Sequence, residues 1–379
     1  MRSLLTPYRQ PATVHRLAAA LRREIRRPWT VMEVCGGQTH AFLRHGLDQL
    51  LPSQLSLIHG PGCPVCVTPA EAIDRALALA TRPELILCSY GDMLRVPGSG
   101  GRTLLEARAA GADLRVVASP LDVPVIARAH PSRQVVFFAV GFETTAPATA
   151  LLAHQTWHGR LANLSLLVCH VRVPPAMEAI LAGPDCRVQG FLAAGHVCTV
   201  MGTDEYAPIA ARHRVPIVVT GFEPVDLLDG LLRCVRQLEH GHCRVENAYG
   251  RVGSQAGNAS ARALIERVFQ RVDQQWRGLG IFPASGLRLR PPYDGLAAER
   301  RFPEARSAPD HPDPPESPCI SGAVLQGLAR PTDCPAFAGR CRPEHPLGAP
   351  MVSAEGACAA YFHYRSTAIE ASQGHDHGR

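Results

Sequence analysis

Short apolar runs rich in β-branched residues recur along most of this chain, and most of them end at a glycine. The runs occupy residues 30–34, 55–59, 84–90, 114–119, 134–140, 164–171, 188–194 and 216–220. Segments with the apolar spacing of helices lie between or after them, at 70–81, 146–157 and 224–238. Strand, loop and helix repeated in this way predict an α/β fold, in which helices cover both faces of a parallel sheet.

The length of the chain predicts more than one domain. At 379 residues it exceeds one ordinary core. The stretches VVFFAVGFETTAP and PIVVTGFEPVD have Gly141 and Gly221 in matching places, which indicates two similar parallel-sheet α/β domains. We place the domains at 1–133 and 134–301, a proline-rich connector at 302–318, and a small cysteine-rich domain at 319–379.

Composition narrows the classes of function. Hydrophobic residues make up 46% and charged residues 19%, and no apolar run reaches the length of a membrane span. The first residues also lack the pattern of a secretory signal, so we expect a cytoplasmic protein without a membrane partner. Every base is an arginine, which excludes a Walker-type lysine loop and a Schiff-base lysine. The arginines are scattered and not interleaved with aromatic residues, so no nucleic-acid partner is expected.

Thirteen cysteines in a cytoplasmic chain favour metal or redox chemistry over structural disulfides. Two of them, Cys63 and Cys66, stand in HGPGCPVCVTPAE, where Thr68 and Glu71 form a capping-box pattern that predicts a helix beginning at Pro69. The positive end of that helix would favour thiolates, which are nucleophiles and metal ligands. The alternative is a tight turn that contains sulfur without chemistry.

Two further residues follow predicted strands. Cys35 precedes Gly36 and Gly37, which permit a backbone nest whose N–H groups face a sulfur or an anion. Because the carboxyl ends of parallel strands share one crevice, Cys35, Cys63 and Cys66 are expected to converge there and to suit iron or zinc. Glu143 also ends a strand, just before a predicted helix, and is either a site acid or an acceptor that ties down its loop.

Four more cysteines lie in the turn-rich C-terminal region. Their number matches the ligand count of either a structural zinc ion or a 4Fe–4S cluster, and their spacing does not choose between them. They are Cys319, Cys334, Cys341 and Cys358. A region this small cannot build a sufficient core, and a bound metal would take its place.

Several motifs together resemble the HypD family of hydrogenase maturation factors. They are MEVCGGQTHAF, IHGPGCPVCVTP, YGDMLRVPGS, VGFETTAPATA, GHVCTVMG, GFEPVD and DCPAFAGRCRPEHPLGAPMVSAEGACAAYF. The resemblance implies a scaffold on which the Fe(CN)2CO moiety of nickel–iron hydrogenases is assembled, with a HypC-type chaperone and a HypE-type cyanide donor. It also implies that Cys35, Cys63 and Cys66 are the iron-handling and redox thiols.

The resemblance further implies a 4Fe–4S cluster in the C-terminal domain. The family's C-x-C-G is here Cys319 to Gly322, and Pro350 replaces another family cysteine, so Cys319, Cys334, Cys341 and Cys358 remain as its ligands. The cluster would exchange electrons with Cys63 and Cys66, and Glu355 would relay protons near it. Gln38 stands where the family usually has histidine, which questions any role of that side chain in iron binding or proton transfer.

These residues support two main hypotheses of function. The first is a cofactor-assembly scaffold with redox activity, rather than a conventional turnover enzyme. The alternative is an iron–sulfur-dependent thiol–disulfide oxidoreductase that works through Cys63 and Cys66, although it does not explain Cys35. A binding module with structural zinc is a third reading.

Overall fold

The computed structural model describes residues 5–252, 254–305 and 318–373 and shows an α/β protein built around two β-sheets. All eight predicted runs form strands: β1 Trp29–Glu33, β2 Leu55–His59, β3 Leu85–Ser89, β4 Leu114–Val116, β5 Gln134–Gly141, β6 Leu164–Val171, β7 Gly190–Ala194 and β8 Ile217–Thr220. Three further strands are β9 Val245–Asn247, β10 Phe269–Trp276 and β11 Gly280–Leu289, which the sequence patterns did not predict.

Helices lie between and around these strands. They are α1 Pro11–Glu24, α2 Gly36–Arg44, α3 Pro64–Val67, α4 Ala70–Ala80, α5 Leu104–Ala109, α6 Val123–Ala129, α7 Ala146–His158, α8 Val173–Leu181, α9 Gly195–Met201, α10 Ala207–His213, α11 Pro224–Glu239, α12 Ala259–Val268, α13 Ala298–Arg301, α14 Ser321–Leu325 and α15 Ala357–Gln373. The three predicted helices are confirmed as α4, α7 and α11. Within the described ranges, no helix combines the length and the apolar character needed to cross a bilayer.

The first sheet is parallel throughout, and the second is mixed. The order of the first is β2-β1-β7-β8-β9 and that of the second is β10-β11-β6-β5-β3-β4. In the second sheet, β11 runs antiparallel to β6 and β10 runs antiparallel to β11. The prediction of purely parallel sheets is therefore wrong for this hairpin. Its first strand is largely exposed and polar, so it lacks the continuous apolar run of a buried parallel strand.

Each sheet takes strands from both sides of the boundary predicted between residues 133 and 134. Strands β1 and β2 pair with β7 rather than with β3, while β3 and β4 join β5 and β6. The two glycines in matching places belong to different sheets. Gly141 is the last residue of β5 in the second sheet, and Gly221 follows β8 of the first. Most of the predicted connector, 306–317, lies outside the described residues, as do 374–379.

Apolar side chains of the flanking helices cover the first sheet. Leu227 and Leu231 of α11 and Leu21 of α1 pack with Val31 of β1 and Val218 of β8, and all five are fully buried. Each such side chain contributes roughly 1.5–3 kcal/mol through burial. This packing fixes the carboxyl ends of β1 and β2, after which the loops of Cys35 and Cys63 follow.

Candidate functional site

The loops that carry Cys35 and Cys63 meet in direct backbone contact. Strands β1 and β2 are adjacent and parallel, so they deliver both loops to the same edge of the first sheet. Cys35 is the N-cap of α2, and the Gly36 N–H donates to the carbonyl oxygen of Gly62 at 3.0 Å. A Cβ on Gly62 would overlap the backbone of Cys35, so only glycine permits this approach. The two loops therefore converge as the sequence predicts.

Cys63 and Cys66 are joined by a disulfide in the short helix α3. The predicted capping box is wrong, because the Thr68 hydroxyl donates to the carbonyl oxygen of Pro64 (2.8 Å) and α4 begins only at Ala70. Cys66 therefore lies in the separate short helix α3 and Cys63 is the N-cap of that helix, so the two cysteines are not in a loop that leads directly into α4. A disulfide sulfur is not a thiolate, so this bond must open before either residue can bind iron.

The Cys35 side chain is enclosed, with 4% of its surface exposed. It packs against Ala194, Val197 and Phe222, which follow the ends of β7 and β8. Burial raises the pKa of the Cys35 thiol, while the N–H groups of Gln38 and Gly37 act in the opposite direction. Burial therefore favours the protonated thiol, and binding of a metal ion to the sulfur would release the proton.

A buried hydrogen-bond network supports the Cys35 backbone. One oxygen of Glu33, which is fully buried, accepts from the Cys35 N–H at 2.9 Å. The other oxygen contacts the Thr39 hydroxyl and His59 Nδ1, the latter at 2.7 Å. His59 Nε2 lies 3.2 Å from the hydroxyl of Tyr361 in α15. The motifs did not reveal this network, although a carboxylate within the buried run TVMEV is a signal, since buried charges require partners.

The C-terminal cysteine-rich segment, residues 319–365, closes over α2. His40 Nδ1 lies 3.1 Å from the carbonyl oxygen of Ala354, and His40 Nε2 lies 3.3 Å from the Tyr364 hydroxyl. Gly36 abuts the backbone and Cβ of Glu355 so closely that no side chain fits at residue 36. The segment therefore forms a cover over the loop of Cys35.

Four thiols of this segment line one small cavity. They belong to Cys319, Cys334, Cys341 and Cys358. Burial, and then the nearby Cys319, Cys341 and Cys334, raise the pKa of the Cys358 thiol. Nowhere in the described ranges do three or more His, Cys, Asp or Glu side chains group closely enough for a single ion. Four thiols around one cavity match the number of ligands of a 4Fe–4S cluster.

A short turn separates that cavity from the disulfide. Pro350 and Met351, in the 3₁₀ turn Ala349–Met351, line the cavity. The same turn packs against α3, where Val65 contacts the apolar cluster that contains Ala349. Pro350 thus lines the cavity from a turn that also contacts the helix of the disulfide.

Glu355 is exposed to solvent, whereas Gln38 is buried and hydrogen-bonded. The Glu355 side chain is exposed at the rim of the Cys35 loop, although partial desolvation and the nearby Asp92 carboxylate raise its pKa. Gln38 is fully buried and its Nε2 donates to the carbonyl oxygens of Ala193 (3.2 Å) and Thr220 (3.4 Å). Its amide thereby ties α2 to the ends of β7 and β8.

Glu143 is buried in the loop between β5 and α7. It is 2% exposed, and its Oε1 accepts from the Val173 N–H at 2.9 Å. Its Oε2 has no partner among the described residues, and Tyr206 and Cys198 are close enough for Glu143 to raise their pKa values. Burial raises the pKa of Glu143 to about 7.

This pKa predicts a specific dependence of stability on pH. Because the folded-state value is raised from 4.5 to about 7, the protonated carboxyl favours the folded protein below pH 4.5, and that contribution is lost as the pH rises through 7. We expect Glu143→Gln to gain about 3 kcal/mol in the free energy of unfolding, relative to the wild type, between pH 4.5 and pH 8. Urea unfolding at both pH values measures this, with Glu266→Gln as a control for the loss of one exposed carboxylate. An equal difference at both values would contradict the prediction.

Comparison of the sequence with known proteins shows similarity to hydrogenase maturation factors. A family model named HypD and described as "Hydrogenase formation hypA family" matches residues 12–365. The chain is 48% identical over 366 residues to the hydrogenase maturation factor HypD of Azotobacter vinelandii, covering 94% of this chain and 95% of the relative. It is 45% identical over 373 residues to the HypD of Escherichia coli K12, covering 96% and 98%. The chain therefore belongs to the HypD family, and this membership supports a role in hydrogenase maturation.

Proposed function

We propose that this chain is a scaffold on which the Fe(CN)2CO moiety of nickel–iron hydrogenases is assembled. The observation that carries the proposal is the contact between the Gly36 N–H and Gly62, which joins the loop of buried Cys35 to the loop of the Cys63–Cys66 disulfide. Sulfur ligands in an enclosed site suit low-spin iron with strong-field ligands. The iron fragment is the cargo of this site and not a resident cofactor.

In this proposal Cys35 is a free thiol in both redox states of the protein. The Cys63–Cys66 disulfide provides two further thiols only after it has been reduced. Reduction of Cys63–Cys66 takes two electrons and two protons and yields two thiols beside the Cys35 loop. The electrons come from a low-potential one-electron donor. Deprotonation of Cys35 accompanies iron binding, because a metal ligand must be a thiolate.

Cys319, Cys334, Cys341 and Cys358 would hold a 4Fe–4S cluster. When bound, such a cluster supplies single electrons beside the turn that packs against α3. The four thiols that line one cavity support this assignment. Glu355, which is exposed and three residues before Cys358, would relay protons near the cluster.

Two partners follow from this role. A HypC-type chaperone would carry the iron fragment to or from Cys35, and a HypE-type protein would donate cyanide. Named relatives that are hydrogenase maturation factors support such partners. Cys35 alone leaves most iron coordination positions to other donors, which is a reason for a chaperone to contribute one.

Infrared spectroscopy of the anaerobically purified complex with the HypC-type chaperone tests the proposal. Wild-type protein should show cyanide and carbonyl stretching bands, and Cys35→Ala should reduce them by at least about tenfold, since even outer partners of metal ligands change affinity by this order. Cys234→Ala, which removes a buried thiol of α11, is the matched control and should retain the bands. Undiminished bands in Cys35→Ala would remove that residue from the site.

The disulfide itself favours the second candidate, an iron–sulfur-dependent thiol–disulfide oxidoreductase. Cys63 and Cys66 are 3% and 1% exposed, however, so a protein disulfide has no direct access to either sulfur in this form. Reductase assays with a generic disulfide substrate separate the two functions. Catalytic turnover by the isolated protein would favour the oxidoreductase.

A further inference from the structure

The tip of the β10–β11 hairpin touches the loop that follows the disulfide. Trp276, at the end of β10, is fully buried and donates from Nε1 to the Ser285 hydroxyl at 2.9 Å. The next residue, Arg277, donates its backbone N–H to the carbonyl oxygen of Val67 at 2.9 Å. Val67 directly follows Cys66, so the hairpin tip is anchored beside the disulfide.

The same hairpin tip packs against the C-terminal cysteine-rich segment. Gly278 has a φ of +72°, and its backbone lies so close to Gly322 that a Cβ on Gly322 would overlap the Gly278 carbonyl. Gly322 is three residues from Cys319 and lies at the start of α14. Both glycines are thus required for a close approach that holds the hairpin tip between the two cysteine sites.

The Arg277 side chain brings a positive charge to this position. It is half-buried, and its Nη1 donates to the carbonyl oxygen of Pro97 at 2.8 Å. Desolvation lowers the pKa of Arg277, and Cys319, Glu71 and Asp74 are near enough to raise it. Because a guanidinium remains protonated in proteins, Arg277 keeps a cation next to Gly278, whose backbone contacts Gly322 of the C-terminal cysteine-rich segment.

We propose that Arg277 raises the reduction potential of the 4Fe–4S cluster held by the four C-terminal cysteines. This inference rests on the proposed function, because it requires that cluster. The cluster gains one negative charge when it accepts an electron, and a fixed cation nearby stabilises that reduced form. The net charge around a cluster is one of the factors that set its potential. Arg277 accordingly acts on the cluster through its charge and does not bind the iron cargo.

A redox titration followed by electron paramagnetic resonance tests this role on the anaerobically purified full-length protein. Dithionite reduces the cluster by one electron, and the midpoint potential is compared between wild type, Arg277→Gln and Arg277→Lys. At the wild-type midpoint, we expect Arg277→Gln to lower the ratio of reduced to oxidised cluster about tenfold, which is 59 mV for a one-electron couple. Arg277→Lys retains the charge and should restore most of this ratio.

Arg271→Gln is the matched control, because Arg271 belongs to the same hairpin but is exposed and pairs with Glu205. It removes the same charge and should leave the potential unchanged. If Arg277→Gln does not fold, Arg277→Met takes its place, since it retains an apolar stem of similar length. An unchanged potential in a cluster-containing Arg277 variant, or an equal shift in Arg271→Gln, would overturn the inference alone. Wild-type protein without iron and labile sulfide would overturn the proposed function as well.

Discussion

Cys358→Ala protein, purified without oxygen, is expected to lose its iron–sulfur absorption and most of its iron and acid-labile sulfide. Each of the four thiols around the small cavity would bind one iron, so the variant leaves one iron without a protein ligand. The apolar core of the surrounding segment is small and includes Ala336, Met351 and Ala359. It cannot compensate for the missing metal bonds, so limited proteolysis should cut this segment faster than in the wild type.

Cys243→Ala is the control for this experiment. Cys243 is half-buried like Cys358 but lies in the loop between α11 and β9, far along the chain from the cavity. Its removal should leave iron and sulfide contents at wild-type values. Full iron content in Cys358→Ala would show that these four cysteines do not form the cluster site.

Glu33→Ala should destabilise the protein by roughly 3 kcal/mol in the free energy of unfolding, because each buried hydrogen-bonding group that loses its partner costs about 1–3 kcal/mol. Glu33 is fully buried and accepts from the Cys35 N–H and His59 Nδ1. Its loss leaves those donors, and the Thr39 hydroxyl, without their acceptor in a site that water does not reach. Urea unfolding at constant pH measures the change.

A surface pair serves as the comparison. Glu178 pairs with Arg212, which is 64% exposed, so Glu178→Ala should cost less than about 1 kcal/mol. The double variant Glu33→Ala/His59→Ala measures how far the two residues act together. A loss for Glu33→Ala no greater than that for Glu178→Ala would show that the network does not support the Cys35 loop.

Most strands were predictable because they are parallel, largely buried and apolar in sequence, whereas the short and only half-buried parallel strand β9 was missed. Runs such as 134–140 and 164–171 became β5 and β6 almost residue for residue. Pairing was not predictable, because the order of strands depends on tertiary contacts that no local pattern contains. The hairpin β10–β11 was missed for a related reason, since its exposed polar face hides it from a search for apolar runs.

The part of the candidate site that consists of residues in sequence motifs was predictable. The convergence of the Cys35 and Cys63 loops followed from the rule that strand ends share one edge. The role of Arg277 could not be foreseen, because it depends on a hairpin that approaches from another part of the sequence. Tyr361 likewise enters only through the docking of α15, which brings its hydroxyl to His59. Local sequence motifs predict the loops of the site. The residues that pack around these loops depend on long-range tertiary contacts, which local motifs do not contain.

The interleaving of the two sheets has a consequence during synthesis on the ribosome. Strands β1 and β2 emerge early, but their neighbour β7 begins only at Gly190. The nascent chain must therefore hold an incomplete, edge-exposed sheet while the strands of the other sheet are translated, and such edges favour aggregation. Chaperones that bind nascent chains should consequently associate with this protein until β8 has left the exit tunnel.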